Sequence, residues 1–430
     1  MFWARAKKLL GMNARNLLFI RPNNSRSTIR LADDKLATKR LLRRNKIPVG
    51  KVMASFDVFS DVEEFDWTSL PSNFVIKPNR GFGGEGIWVI KGMTRNGWKR
   101  SDGMEVDIEA IKNHIYNIFD GNYSLGNVFD TAYIEEKISL HSRFKKLTYG
   151  GGIPDVRVIV YNMIPVMAML RLPTEMSRGK ANLHQGGIGV GVEIASGITT
   201  KAFVKLWDQM ITRYPGTEKK LHGIKIPFWK EVLEMSVKCQ QISGLGYLGV
   251  DIVLDEKKGP MVLEINARPG LDIQNANFLP LRSRLLRVED LHVNSVEKGV
   301  RIAQELFGGE VNIGAKKDYG KSVLDWVQPV EFIGLDKKKL PVMAKIDTGA
   351  WRTAICRTLA DRLKLKKPIQ KKLVKSALGR EEREIYEVKM VLGKKKITTQ
   401  VFVADRRNLK YDVIIGRRDL QNFLINPKEK

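Results

Sequence analysis

The stretch Glu264-Ile265-Asn266-Ala267-Arg268-Pro269-Gly270 sets a carboxylate and an amide two residues apart and follows them with a guanidinium and a Pro-Gly turn. On a β-strand, side chains two apart leave the same face, so Glu264 and Asn266 point together. A second apolar strand, Gly249-Val250-Asp251-Ile252-Val253, carries a single acid. An unpartnered buried carboxylate is costly, so acids beside runs such as Met261-Val262-Leu263 and Ile252-Val253-Leu254 require a metal ion or a basic counter-charge. Three oxygen ligands converging from neighbouring strands make a hard-cation site, for which Mg²⁺, or Mn²⁺, is the expected ion. The competing reading is a structural salt bridge to Arg268.

At 430 residues the chain can bury more than one core, so two or three domains are expected. The two cysteines, Cys239 and Cys356, lie far apart and outside any Cys-x-x-Cys spacing, which argues against a disulfide framework or a thiolate zinc site. The basic start, Met1 to Met12, has no long apolar core followed by a small-residue cleavage site. No apolar run reaches membrane-spanning length, so a cytoplasmic protein without a membrane partner is expected. A net charge of +27 favours polyanionic partners such as nucleic acid, a ribosome or an acidic peptide. Residues 316–430 hold about +15 of it. The runs Lys337–Lys339, Lys366-Lys367, Lys371-Lys372 and Lys394–Lys396 read as solvated turns between short strands rather than a dedicated nucleic-acid groove.

Along the chain, residues 33–46 predict a helix with Asp33 or Asp34 as its N-cap and Pro48 after its end. The strand Phe74-Val75-Ile76-Lys77 leads into Pro78-Asn79-Arg80-Gly81-Phe82-Gly83-Gly84-Glu85-Gly86 and out through Ile87-Trp88-Val89-Ile90. Glycines at 81, 83, 84 and 86 permit positive φ and leave room for backbone N–H groups to approach phosphate oxygens, with Lys77 as a nearby point charge. The loop matches neither a Walker nor a Rossmann pattern, because no Gly-Lys-Ser/Thr occurs and a strand follows. Further strands are predicted at 131–138, from Pro154 through Tyr161, and at 166–171. Arg157 and Arg171, alone within apolar strands, require anionic partners, for which a triphosphate or an acyl-phosphate would serve. Asn182-Leu183-His184-Gln185-Gly186-Gly187 opens a loop, and a helix around 228–243 precedes the Asp251 strand.

The order of these motifs resembles the ATP-grasp superfamily, in particular its alpha-L-glutamate ligase-like branch related to ribosomal-protein glutamate ligases, over roughly residues 10–290. The resemblance implies an α+β fold in which two subdomains grip ATP. It implies that Lys35 and Lys77 reach nucleotide phosphates, that Glu136, Lys137 and Ile138 form the hinge that holds adenine, and that Asn182 and the following glycines line the acceptor side. By the same resemblance Arg157 and Arg171 contact phosphate or acyl-phosphate, Asp251, Glu264 and Asn266 hold Mg²⁺, and Arg268 stabilises the transferring group. The implied reaction is ATP-dependent ligation of a carboxylate to an amine through an acyl-phosphate, adding glutamate or another amino acid to a peptide, protein or small molecule. Two features depart from the family pattern: few residues precede Lys35, and no ribose-binding acid is evident in Ser139-Leu140-His141-Ser142-Arg143.

Beyond residue 323 the composition shifts to short strands with Lys/Gly turns, predicting a small β-rich domain. Asp347-Thr348-Gly349, with a later Val413-Ile414-Ile415-Gly416, resembles retropepsin-like aspartic proteases, particularly the family described as ATP-dependent zinc proteases. Aspartic proteolysis needs two carboxylates sharing a proton, so a dyad would require Asp347 from each of two chains, and with it a homo-oligomer. Nothing in the five scattered histidines supports zinc. The expected organisation is an arm at 1–32, an ATP-grasp domain at 33–310, a linker at 311–322 and an acid-protease-like domain at 323–430 that trims or binds the product. The alternatives are an aspartic peptidase with a nucleotide-sensing region, and a basic ribosome- or RNA-binding protein.

Overall fold

The consecutive apolar residues Phe74-Val75-Ile76 and Ala132-Tyr133-Ile134 form the buried central strands Phe74–Pro78 and Ala132–Glu136 of the first sheet, one face of which receives the helix Ile108–Phe119. Asp107 caps that helix by accepting from Ala110 N–H at 2.8 Å, and Ile111, Ile115 and Ile118, spaced for one helical face, are buried against Phe74, Ile76 and Ile134. In this computed structural model the described residues are 9–124, 126–309, 322–336, 338–376, 379–393, 395–406, 410–421 and 423–426. The sheet is antiparallel in the order Val52–Phe56, Ala132–Glu136, Phe74–Pro78, Trp88–Thr94, Gly97–Arg100, Glu105–Val106.

A second antiparallel sheet runs Gln209–Ile211, Thr199–Val204, Ile188–Val192, Ile164–Leu172, Asp155–Tyr161, Tyr247–Asp255, Gly259–Asn266. Its central strands are almost wholly buried, and the helices Trp229–Ser243, Leu281–Val288 and Val296–Phe307 contribute to the same core. The last two strands pair Asp251 with Glu264 and then Ile252 with Val262, so Leu263 is an extra residue on one side of the ladder. That bulge lets Met261 share a face with Val253, two residues from Asp251, while Glu264 stands opposite Asp251.

Two units divide the chain, Met1–Asn312 and Ile313–Lys430. Both sheets belong to the first. The expected arm at 1–32 needs correction, because its described residues are integral to the second sheet's core rather than appended to it. Leu10, Phe19, Ile20 and Ala32 are buried there, Asn24 exchanges hydrogen bonds with the Tyr247 backbone, and a helix Arg26–Asp33 is capped by Ser25. At eight residues that helix spans barely two turns, too short for its one-sided apolar pattern to repeat, which is why it escaped prediction. The helix expected at 33–46 spans Lys35–Arg44 with Asp34 as its cap.

In the second unit a seven-stranded sheet runs Val327–Ile333, Lys339–Asp347, Val413–Gly416, Ala354–Cys356, Lys395–Ala404, Gly379–Leu392, Gln370–Ser376. Val327–Ile333 also pairs with Gly379–Leu392, which brings the two sides of the sheet together. Lys371 and Lys372 lie within a strand, with Lys side chains turned to solvent, and not in a turn. The expected linker falls, apart from Ser322, outside the described residues. No described helix is long and apolar enough to cross a membrane.

Candidate functional site

Antiparallel register brings the acids and arginines of the second sheet together on one face. Asp251 lies opposite Arg157 on one neighbour and opposite Glu264 on the other, and Asp155 lies opposite Arg171. Arg157 grips Asp251 with two parallel bonds, Nε to Oδ1 at 2.7 Å and Nη2 to Oδ2 at 2.6 Å. Arg171 Nη2 donates to the same Oδ2 at 2.6 Å while its Nε donates to Asp155 Oδ1 at 2.7 Å. The anionic partners that the two arginines demanded are therefore supplied by the chain itself. Burial works to raise the Asp251 carboxyl, but Arg157 and Arg171 overcome it and hold it well below the usual carboxylate range. Asp155 goes the other way: burial, reinforced by Asp251 and only partly offset by Arg171, pushes it up to about 7.

Asn266 Nδ2 lies 3.2 Å from both Asp251 Oδ2 and Glu264 Oε1, so the three side chains expected to hold a cation meet at one point. Two carboxylates and an amide are residue types that Mg²⁺ accepts, but here Asn266 presents its NH₂ group to the acids and both Asp251 oxygens accept from the arginines, so ligation would need Asn266 to turn its oxygen inward. Arg268 does not join them. It pairs with Asp33 at 3.0 Å, near solvent, so the salt bridge expected between Arg268 and the acids does not form, and Asp251 is paired to Arg157 and Arg171 instead. The loop that carries it is held by the buried Arg15, which donates to Pro269 O at 2.7 Å and Arg268 O at 3.4 Å.

The glycine-rich loop of the first sheet faces this site. Gly83, Gly84 and Gly86 have φ of 64°, 80° and 70°, a region that side-chain-bearing residues avoid. Asn182 Nδ2 donates to Gly83 O at 3.4 Å, and Glu85 receives Lys180 at 2.5 Å and Gln185 at 2.9 Å, so the loop is tied to the 180–185 segment of the second sheet. Lys35 Nζ donates to Gly81 O at 2.8 Å and to Asn79 O at 3.3 Å. Behind Lys77 sits a group that sequence reasoning missed: Glu135 is 1% exposed, pairs with Lys77, and meets Lys39 at 2.7 Å. Burial works to raise Glu135, but Lys77 and Lys39 outweigh it and hold it at about 2. Of two successive acids in a strand one must face inward, and that alternation was the available signal. Glu136 instead faces out, bonded to Lys51 N–H at 3.0 Å and to Lys258 at 2.5 Å.

From Glu136 the chain crosses between the sheets through Lys137 and Ile138. Ser139 N–H donates to Asp255 Oδ2 at 2.8 Å and His141 N–H to Leu254 O at 3.0 Å, which fastens the crossover to the second sheet. Ile138 packs with Val253 and Met261, with Ile153 and Leu263 against them, giving an apolar patch two residues along the strand from Asp251.

At the foot of the glycine loop, His114 hydrogen-bonds Gly86 O at 2.9 Å and stacks on Trp88 at a ring separation of 4.0 Å. Burial pushes its pKa down to about 4. A histidine depressed below its unfolded value near 6.5 contributes stability that is complete above pH 6.5 and is lost as pH falls towards 4. Against His114→Gln, the wild type should therefore lose roughly 3 kcal/mol more stability across that window. Urea midpoints measured at each pH would check this, and parallel profiles would contradict it.

In the second unit, Asp347 Oδ1 accepts from Gly349 N–H at 2.9 Å and Ala350 N–H at 3.1 Å, and Asp347 pairs in parallel register with Gly416. Lys345 and Arg352, two residues before and five residues after Asp347, stand over Trp326 and Phe402.

A family model for sugar-transfer associated ATP-grasp proteins matches residues 14–290, more than half of the chain. A comparison with curated proteins gives no match. Among solved structures, the ATP-grasp ligase PsnB in complex with its minimal precursor is 16% identical, with 62% of this chain and 63% of that chain aligned and a TM-score of 0.33. D-alanine–D-alanine ligase from Bacillus anthracis is 15% identical over 64% of this chain and 69% of that one, with a TM-score of 0.33. A protein of unknown function from Legionella pneumophila, 16% identical, aligns with 24% of this chain and 92% of its own length at a TM-score of 0.17. The chain spans just under two thirds of the PsnB chain it matches.

Proposed function

The chain belongs to the sugar-transfer associated ATP-grasp family, and from that premise we propose that it is an ATP-dependent carboxylate–amine ligase. The observation that carries the reading is the convergence of Asp251, Glu264 and Asn266 beneath a glycine-rich loop, beside two arginines. In this account Mg²⁺ held by these three side chains supplies charge neutralisation for the nucleotide phosphates. Adenine rests on the Ile138, Val253 and Met261 patch at the crossover, with Glu136 and Lys137 beside it, and the N–H groups around Gly83 and Gly84 face the phosphates.

Lys77, Lys35, Arg157, Arg171 and Arg268 form the cationic set for the transferring group. Lys39 acts behind them: when Lys77 turns to phosphate, Lys39 remains as counter-charge to the buried Glu135. A substrate carboxylate attacks the γ-phosphorus of ATP, ADP leaves, and an amine then displaces phosphate from the acyl-phosphate to leave an amide. Such chemistry needs positioning and charge more than a protein nucleophile. The test is phosphate release from Mg²⁺-ATP by the full chain against a panel of amino acids and acidic peptides, with mass spectrometry of the products. An acceptor-dependent new amide mass supports the ligase, and release without one contradicts it.

A retropepsin-like role for the second unit, trimming or binding the product, is supported by the hydrogen-bonded Asp347 turn paired with Gly416. It requires the Asp347 of a second copy to share a proton. Asp347→Asn should then lengthen or stabilise the product without altering ATP turnover.

A further inference from the structure

We propose that Lys205, His184 and Asp272 form a clamp for a free α-amino acid, with its carboxylate on Lys205 and His184 and its amine on Asp272; this rests on the ligase reading above. The three groups come from separate segments. His184 sits in the turn Leu183–Gln185, fixed by Asn182 Oδ1 accepting its N–H at 3.0 Å, Lys205 opens the turn Lys205–Trp207, and Asp272 precedes the helix Ile273–Asn277. They nevertheless converge on one oxygen. Lys205 Nζ and His184 Nε2 each lie 3.0 Å from Asp272 Oδ2, and Lys205 lies 3.1 Å from His184 Nδ1.

The cluster is also placed to meet a substrate. His184 and Asp272 line the same hollow as Arg157, Arg171, Asn182 and Gly270, so an amine held by Asp272 would face the arginines beside which the activated carboxyl belongs. His184, 64% exposed, and Lys205, 36%, border solvent, while the Asp272 side chain between them is 13% exposed.

Charge then selects the ligand class. A simple anion entering here would meet Asp272, and a simple amine would meet Lys205. A ligand with both charges close together lets every ion keep an opposite partner, which is the property of a zwitterionic α-amino acid. A peptide N-terminus or an amino sugar offers the amine without the adjacent carboxylate.

The experiment is calorimetric titration of the full chain, with Mg²⁺ and a non-hydrolysable ATP analogue, using free amino acids, their carboxamides, their N-acetyl derivatives and glucosamine. ATP turnover and amide formation with the same amines are measured in parallel, each in the presence of the acidic peptides as carboxylate donors. The expected result is binding of free amino acids, at least tenfold weaker binding of the carboxamide of the best one, and loss of that discrimination in Lys205→Met. N-acetylation should abolish binding, and Asp272→Asn should weaken the free amino acid without restoring the acetylated one. Carboxamides or glucosamine binding as tightly as free amino acids, or discrimination that persists in Lys205→Met, would overturn the clamp. Turnover driven only by amines lacking a carboxylate overturns the clamp and leaves the ligase standing. Amino-acid binding without amide formation overturns the ligase and leaves the clamp, and neither binding nor turnover overturns both.

Discussion

Asp251→Asn will cost about 3–5 kcal/mol of stability in the ATP-grasp unit, the scale on which breaking one side of a buried ion pair is felt. Asp251 is fully buried and receives four N–H donors, two from Arg157, one from Arg171 and one from Asn266. An asparagine offers one acceptor oxygen and turns an NH₂ group towards a guanidinium, leaving Arg171 with Asp155 and Arg157 with only Glu264 at 4.0 Å. The measurement is the urea unfolding midpoint at neutral pH. A shift of under about 1 kcal/mol would mean that the arginines do not depend on Asp251.

Glu264→Gln should show the opposite division of effects, losing ATP turnover by about a hundredfold or more with little change in stability. Glu264 faces Asp251 across the ladder, yet its side chain is 35% exposed and its one arginine, Arg157, is 4.0 Å away. Removing its charge strands nothing. What it loses is a carboxylate oxygen beside Asn266 and Asp251, where the cation is proposed to bind. Turnover within a few-fold of wild type would refute a metal role for Glu264, and a large drop in stability would assign it a structural one.

The contrast between these facing acids shows what the sequence did and did not disclose. Strand alternation was enough to place Glu264 and Asn266 on one face and to single out Asp251 as an acid needing a partner. It was also enough to require anions for Arg157 and Arg171. Which anions they met depended on register between strands nearly a hundred residues apart, Asp251 against Arg157, and no local pattern encodes that pairing. The Leu263 bulge was invisible for the same reason, since Met261-Val262-Leu263 reads as an uninterrupted apolar run. Glu135 was passed over for its neighbour Glu136 because a buried carboxylate is legible only once Lys39 and Lys77 are known to converge on it from a helix and a strand. Lys205 and Asp272 drew no attention at all, being ordinary charged residues in turns until the fold brings them to His184. Of the early helices only Lys35–Arg44 was read from the sequence, because Asp34 and Pro48 mark its ends; Arg15–Ile20 and Arg26–Asp33 are too short to show a repeated period.

The central claim is that the acids of the second sheet and the glycine loop of the first form one Mg²⁺-ATP site. The most direct measurement is calorimetric binding of ATP to the full chain with and without Mg²⁺, repeated on Glu264→Gln. The account predicts binding that is strengthened at least tenfold by Mg²⁺ in the wild type and that loses this metal dependence in the variant. Binding indifferent to Mg²⁺, or an equal Mg²⁺ effect in both proteins, would contradict it.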